Sequence, residues 1–488
     1  MYILEIFYSF LFLLAFRYLK ILQVKNLPSW LLPSAFFLKM LIGIVFLMMY
    51  LHPNEHNSVP SDTMRFLSES KQLQDVYYKT PSDYFNLLAG TGNDEILIQK
   101  HLKSTFLWDA GNSSLFNDSR TIIRLHSVIR FISFGSPFIH TLFMCFFAML
   151  GLRQLFISIS TFSKLNPTHL FLILLLFPSM LFWTSGILKE PILFLGIGLF
   201  SRFILIKDEI KKRILFGAIG AFTLMVVKPY VLICLIPSVV FYLLYKFIFN
   251  HSALKTSISI LIFVVLSIFI FQNPRDKVVN HLSKKQFEFD HIGKGGLYVR
   301  SDTCAYTFTE EQARHLKIND KKGTARLISP TKCSIQSKTN MTPRFINVKP
   351  TNVDWMIQYH VKGAQSYIKT TPINYSFAQL IKNIPEAIIN SYFRPFVNDP
   401  GSSLRFLAMF EVWILTLFLI YSFIKRRDID LETRGLLIGL IIFSICLLLL
   451  IGWTTTVVGA IFRYRFPAQL ALILIGVIII KSDFKKVE

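Results

Sequence analysis

The chain has 488 residues, of which 53% are hydrophobic and only 17% charged, and 48 are phenylalanine. That composition excludes an ordinary soluble domain and indicates a multi-span membrane protein. Its formal charge of +23 suits membrane orientation and contact with membrane lipids, so a nucleic-acid partner is not expected.

The first residues, MYILEIFYSFLFLLAFRYLK, lack a basic leader and a small-residue cleavage site and read as a retained span. Stretches of about 20 apolar residues predict eleven transmembrane helices, near 2–22, 31–51, 136–157, 168–188, 191–206, 214–228, 230–248, 255–272, 405–424, 435–452 and 467–480. The pair joined by Lys228-Pro229-Tyr230 also reads as re-entrant. The expected fold is an all-α polytopic membrane protein with a small mixed α/β insert outside the membrane. Its parts are 1–51 (spans 1–2), 52–135 (a first outer loop), 136–272 (spans 3–8), 273–404 (a large outer segment) and 405–488 (spans 9–11 and a tail).

Short loops on one side collect nineteen Lys and Arg, among them the run Lys211, Lys212 and Arg213 and the run Lys425, Arg426 and Arg427, against four on the other. Positive charge stays in the cytoplasm, which puts the N-terminus outside and the C-terminus inside. In the first outer segment the apolar positions from Met64 to Leu88, interrupted at Pro81, predict two amphipathic helices along the membrane surface. The second outer segment alternates short β-like runs, GLYVRSD, AYTFT and RFINVKP, with turn residues and becomes helical from about 375. Cys304 and Cys333 both fall in it; an oxidising compartment would let them pair, and the alternative is two free thiols. Gly293-Lys294-Gly295-Gly296 lacks the spacing of a phosphate loop, and no HExxH, CxxC or GxSxG occurs.

Charged residues at span ends carry the functional signal. Lys189 and Glu190 lie between the fourth and fifth spans, with Lys228 at the next outer turn. His140 sits just inside the third span and Glu411 about two turns inside the ninth. A charge within a span is costly and asks for a partner or a cavity, whereas Lys39, toward the other leaflet, is expected to snorkel. Arg463 and Arg465, in RYRFP ahead of the last span, would put two guanidinium groups beside a helix N-terminus, an expected anion site at headgroup level. Asp62, on a short tether beyond span two, is the candidate proton acceptor at the water boundary, with Asp109 and Asp118 as competitors.

These features resemble the C-type (GT-C) glycosyltransferases, in particular the large membrane proteins of that superfamily in Bacteroidota-like bacteria. The likeness rests on Asp62 in SDTMRFL, PSMLFWTSGILKEP at 178–191, KPY at 228–230 and RYRFP at 463–467. In two respects the chain departs from the family: Asp62 is followed by Thr63 rather than a second acid, and an extra span precedes the first large loop. The resemblance implies inverting transfer of a sugar from a polyprenyl phosphate to a lipid, glycan or protein hydroxyl at the outer face of the bacterial cytoplasmic membrane. It implies Asp62 as general base; Lys189, Lys228, Arg463 and Arg465 around the donor phosphate; and Glu190, Glu411 and His140 orienting substrate. The scheme requires no metal and no cofactor. A polysaccharide polymerase or ligase would share the donor and place more weight on Arg394. A lipid-linked substrate transporter or a non-catalytic envelope scaffold are the readings from other classes.

Overall fold

A computed structural model describes residues 2–51, 61–91, 95–102, 105, 108, 118–248, 271–301, 304–319, 322–337 and 344–481. In chain order the helices are α1 (Tyr2–Tyr18), α2 (Leu31–Leu51), α3 (Asp62–Lys79), α4 (Pro81–Ala89), α5 (Glu95–His101), α6 (Asp118–Ser133), α7 (Pro137–Ser160), α8 (Pro167–Leu176), α9 (Pro178–Trp183), α10 (Glu190–Leu205), α11 (Ile210–Val227) and α12 (Pro229–Leu243). After them come α13 (Gln272–Lys294), the strands β1 (Gly296–Arg300), β2 (Cys304–Thr309), β3 (Leu316–Asn319), β4 (Thr324–Leu327), β5 (Thr331–Ser337), β6 (Arg344–Val348) and β7 (Trp355–Val361), with the short α14 (Glu310–Ala313) after β2. The chain closes with α15 (Phe377–Lys382), α16 (Ile384–Ile388), α17 (Leu404–Ile424), α18 (Leu431–Thr454), α19 (Val458–Tyr464) and α20 (Phe466–Ile479).

Five helices among the described residues are long and apolar enough to cross a membrane: α2, α7, Pro229–Phe247, α17 and α18. A sixth is added if α19 and α20, bent by 48°, form one span. The protein is a helical membrane protein with fewer such spans than the eleven expected, and the reasons are local. The stretch 168–188 is broken at Phe177, where Pro178 ends α8 after 10 residues, because the residue before a proline is pushed out of the helical region. The 16 residues of α10 rise about 24 Å, short of a hydrocarbon core of about 30 Å. Helix α11 opens on Lys211, Lys212 and Arg213. Most of the candidate at 255–272, and Asp109, lie outside the described residues.

Sequence sets the helix ends. Ser136 accepts from the Ile139 amide ahead of Pro137, and Asp430 accepts from the Thr433 amide at 2.8 Å, each satisfying a first-turn N–H. One apolar core runs from Phe12 and Phe36 through Leu152, Leu193 and Leu447 to Ile473. At its centre α7 and α10 meet glycine to glycine: a Cβ on Gly198 would lie 2.2 Å from the Gly151 carbonyl oxygen. Only glycine allows that approach. On α17, Phe410, Trp413 and Leu417 stay exposed, an apolar face suited to lipid.

The second hydrophilic segment forms a seven-stranded antiparallel sheet, order β3-β4-β7-β1-β2-β5-β6, with a core of Leu297, Val299, Phe308, Leu327 and Trp355. Cys304 on β2 pairs in register with Ser337 on β5, four positions beyond Cys333. That offset is about 13 Å at strand rise, beyond disulfide reach, and both cysteines are free. Gly293 to Gly296 turn α13 into β1, with Gly295 at φ 73° and Gly296 at φ 139°. They build a junction that needs left-handed backbone, which glycine permits.

Candidate functional site

Five charged side chains gather where α2 and α19 end and α3, α10 and α12 begin. The local folding that puts them there starts at Ser61. Its hydroxyl accepts from the Met64 amide at 3.2 Å, capping α3, and donates to the Tyr50 carbonyl at 2.9 Å. Asp62 is thereby fixed as the first helical residue, where the helix dipole favours a carboxylate.

The turn 184–189 is held from several sides. Lys39 donates to Thr184 Oγ1 at 2.6 Å, Cys145 Sγ donates to the Ser185 carbonyl at 3.4 Å, and Thr63 Oγ1 donates to the Ile187 carbonyl at 3.2 Å. Phe46 packs so closely on Gly186 that a Cβ there would lie 2.4 Å from its ring. Lys39 is therefore buried and anchors this turn, contrary to the snorkelling expected from its position.

The turn delivers Lys189 to Asp118 (2.6 Å) and to the Ser119 hydroxyl (3.0 Å). It also delivers Glu190 to the start of α10. Glu190 is fully buried, and its Oε1 accepts from Lys228 Nζ and from Arg463 Nε, each at 2.7 Å. The other arm of the same guanidinium, Nη1, donates to Asp62 Oδ2 at 2.7 Å. Arg463 thus bridges two carboxylates from different elements, a forked geometry that lysine cannot supply. Lys228 Nζ also lies 4.7 Å from the ring centre of Tyr464 and 5.9 Å from that of Tyr230, within cation–π range.

The Asp62 side chain is 44% exposed against 14% for Arg463, so Asp62 is the member that meets the water boundary. Desolvation by its neighbours pushes its carboxyl up. Arg463, Lys189 and Arg65 outweigh that and hold it below the ordinary carboxylate range. The site at rest is a charge lattice with an ionised, reachable carboxylate at its rim.

The structure thus brings together Asp62, Lys189, Glu190, Lys228 and Arg463, and leaves three candidates elsewhere. Arg465 is buried and points away: its Nη1 donates to the carbonyls of Ser391 (3.2 Å), Tyr392 (3.0 Å) and Arg394. Two residues apart at about 100° each, helical neighbours i and i+2 diverge by about 200°, so the double-arginine anion site does not form. Glu411 accepts from the Ser179 amide at 3.0 Å and its hydroxyl at 2.7 Å, tying α17 to the first turn of α9. His140 bonds His126 through their Nδ1 atoms at 2.8 Å and Ser133 at 2.9 Å, a buried join of α6 to α7. Arg394 is held by Asn390 and Asp399. Asp118, Tyr230 and Tyr464 as partners went unforeseen, although both tyrosines stand beside residues already singled out.

The described residues define a helical membrane protein in which an arginine bridges one buried and one partly exposed carboxylate at one end of the bundle. No family model matches the chain, and no curated protein or solved structure does.

Proposed function

We propose that the protein is a membrane glycosyltransferase of the GT-C type, moving a sugar from a polyprenyl-phosphate donor to a lipid, glycan or protein hydroxyl at the outer face of the bacterial cytoplasmic membrane. One observation carries this reading: Arg463 holds Asp62 and Glu190 at 2.7 Å each, with Lys228 on the same Glu190 oxygen. A cation bonded to an accessible carboxylate on one side and a buried one on the other can exchange the first for a phosphate and keep the second.

When the donor phosphate takes the Nη1 arm, Asp62 loses its strongest neighbour and becomes a better proton acceptor. The acceptor oxygen then attacks the anomeric carbon and its proton passes to Asp62. The bond from that carbon to the phosphate oxygen breaks, and polyprenyl phosphate departs with the electron pair beside Arg463 and Lys189. Placing fixed cations where negative charge develops is the dominant source of acceleration. Glu190, buried and doubly bonded, positions Arg463 and Lys228.

Transfer of radiolabelled sugar from polyprenyl phosphate by membranes carrying the protein tests this. Asp62→Asn and Arg463→Ala are each expected to lower transfer by a factor of about 100 or more. Full transfer by both variants overturns the site, and failure of the parent to consume any lipid-linked donor overturns the enzyme reading.

A further inference from the structure

The loop between α1 and α2 frames an open cavity of about 380 Å³ whose lining includes Lys20, Gln23, Lys25, Leu27 and Leu32. It lies at the opposite end of the bundle from the carboxylate pair: Leu32 opens α2, whereas Tyr50, bonded to Ser61, stands near its close. Those 21 residues separate the two ends by about 30 Å, one bilayer core.

The cavity is built rather than incidental. Arg153 of α7 reaches across to donate to the carbonyls of Leu22 (2.8 Å) and Gln23 (3.0 Å), and Gln23 donates to the Arg17 carbonyl at 2.8 Å. Neutral carbonyls are the only described hydrogen-bond partners of Arg153, and neither Lys20 nor Lys25 has a carboxylate partner among the described residues. Two cations, Lys20 and Lys25, therefore line a pocket whose other side chains include Leu27 and Leu32, while Arg153 holds the carbonyls of the loop that forms it. In the same stretch of chain Tyr18, Leu19, Ile21 and Trp30 are all more than half exposed, an aromatic and aliphatic belt suited to a bilayer interface.

We propose that this cavity binds the phosphate headgroup of an anionic phospholipid, its glycerol end against Leu27 and Leu32. The belt is what favours a lipid over free phosphate, since a soluble anion has no use for exposed Ile21 and Trp30. The proposal stands independently of the sugar-transfer reading.

The test is native mass spectrometry of the full chain in detergent with phosphatidylglycerol or phosphatidylcholine. Preferential retention of phosphatidylglycerol is expected. Lys20→Ala with Lys25→Ala should weaken it roughly thirty-fold, the effect of two lysines near a headgroup plane, while the exposed control pair Lys211→Ala with Lys212→Ala leaves it unchanged. Equal retention of the two lipids, an equal loss in the control pair, or full displacement of the lipid by millimolar inorganic phosphate overturns it.

Discussion

Glu190 and Lys228 are 0% and 2% exposed and rely on one another. A buried pair is costly to break from one side, because the survivor keeps its charge without water. Glu190→Ala should therefore destabilise the protein by about 3–5 kcal/mol, whereas Glu190→Gln with Lys228→Met should cost much less. Thermal unfolding of the purified variants in detergent reads the difference, and equal losses would show that the pair contributes nothing as a pair. Asp62 behaves differently because its side chain stands partly in water. A carboxyl held below its ordinary value stabilises the fold above the unfolded pKa of about 3.9 and loses that contribution only as pH falls through the lower folded value. Between pH 7 and 4.5 the difference in thermal stability between parent and Asp62→Asn should stay constant. A difference that shrinks with acidification already at pH 6 would mean that Arg463 does not hold Asp62 down.

At the level of elements, Gly151 and Gly198 make one of the tight backbone approaches in the bundle. Gly198→Val has to part α7 from α10, the helix that carries Glu190, and should destabilise by about 3 kcal/mol as overpacking of a tight core, read by the same thermal unfolding. In the sheet, the four-position offset of Cys304 from Cys333 predicts that both thiols alkylate in denaturant without reductant; protection of the two together would contradict the register.

How much of this was legible in the sequence follows from the same elements. The residue types at the ends of apolar stretches were, because charges on either side of a span must come out at a water boundary, and one boundary collects Asp62, Lys189, Lys228 and Arg463. Helical segments on either side of Pro81 and strands at GLYVR, AYTFT and RFINV were legible as period and punctuation. Angular phase was hidden: RYRFP looks like two equivalent arginines on paper and puts one into the site and the other among backbone carbonyls. Span lengths were also hidden, because hydropathy runs straight through Phe177-Pro178 whereas the backbone does not. The role of Lys39 depends on Thr184, 145 positions away, a pairing that no local pattern encodes.

For the whole molecule, the site and the basic loops occupy opposite ends of the bundle. In a chain with its own cysteines replaced, a cysteine at Thr80 and one at Lys212 should label with a membrane-impermeant maleimide from opposite sides of intact cells and inverted vesicles. Labelling from one side alone would undo the placement of the charged residues along the bundle axis.

The sheet-bearing segment is also not an independent appendage. Backbone bonds from Ile368 to Thr456 (2.8 Å) and from Val458 to Ser366 (2.9 Å) stitch it onto the start of α19, Tyr367 reaches back to Asp290 at 2.8 Å, and Phe289 meets Tyr464 edge-on. Helix α19 is only 7 residues long and ends in Arg463-Tyr464. Strands and bridged carboxylates are therefore separated by this seam and about two turns of helix, so a load applied to the strands would bear on the guanidinium as a lever bears on its tip.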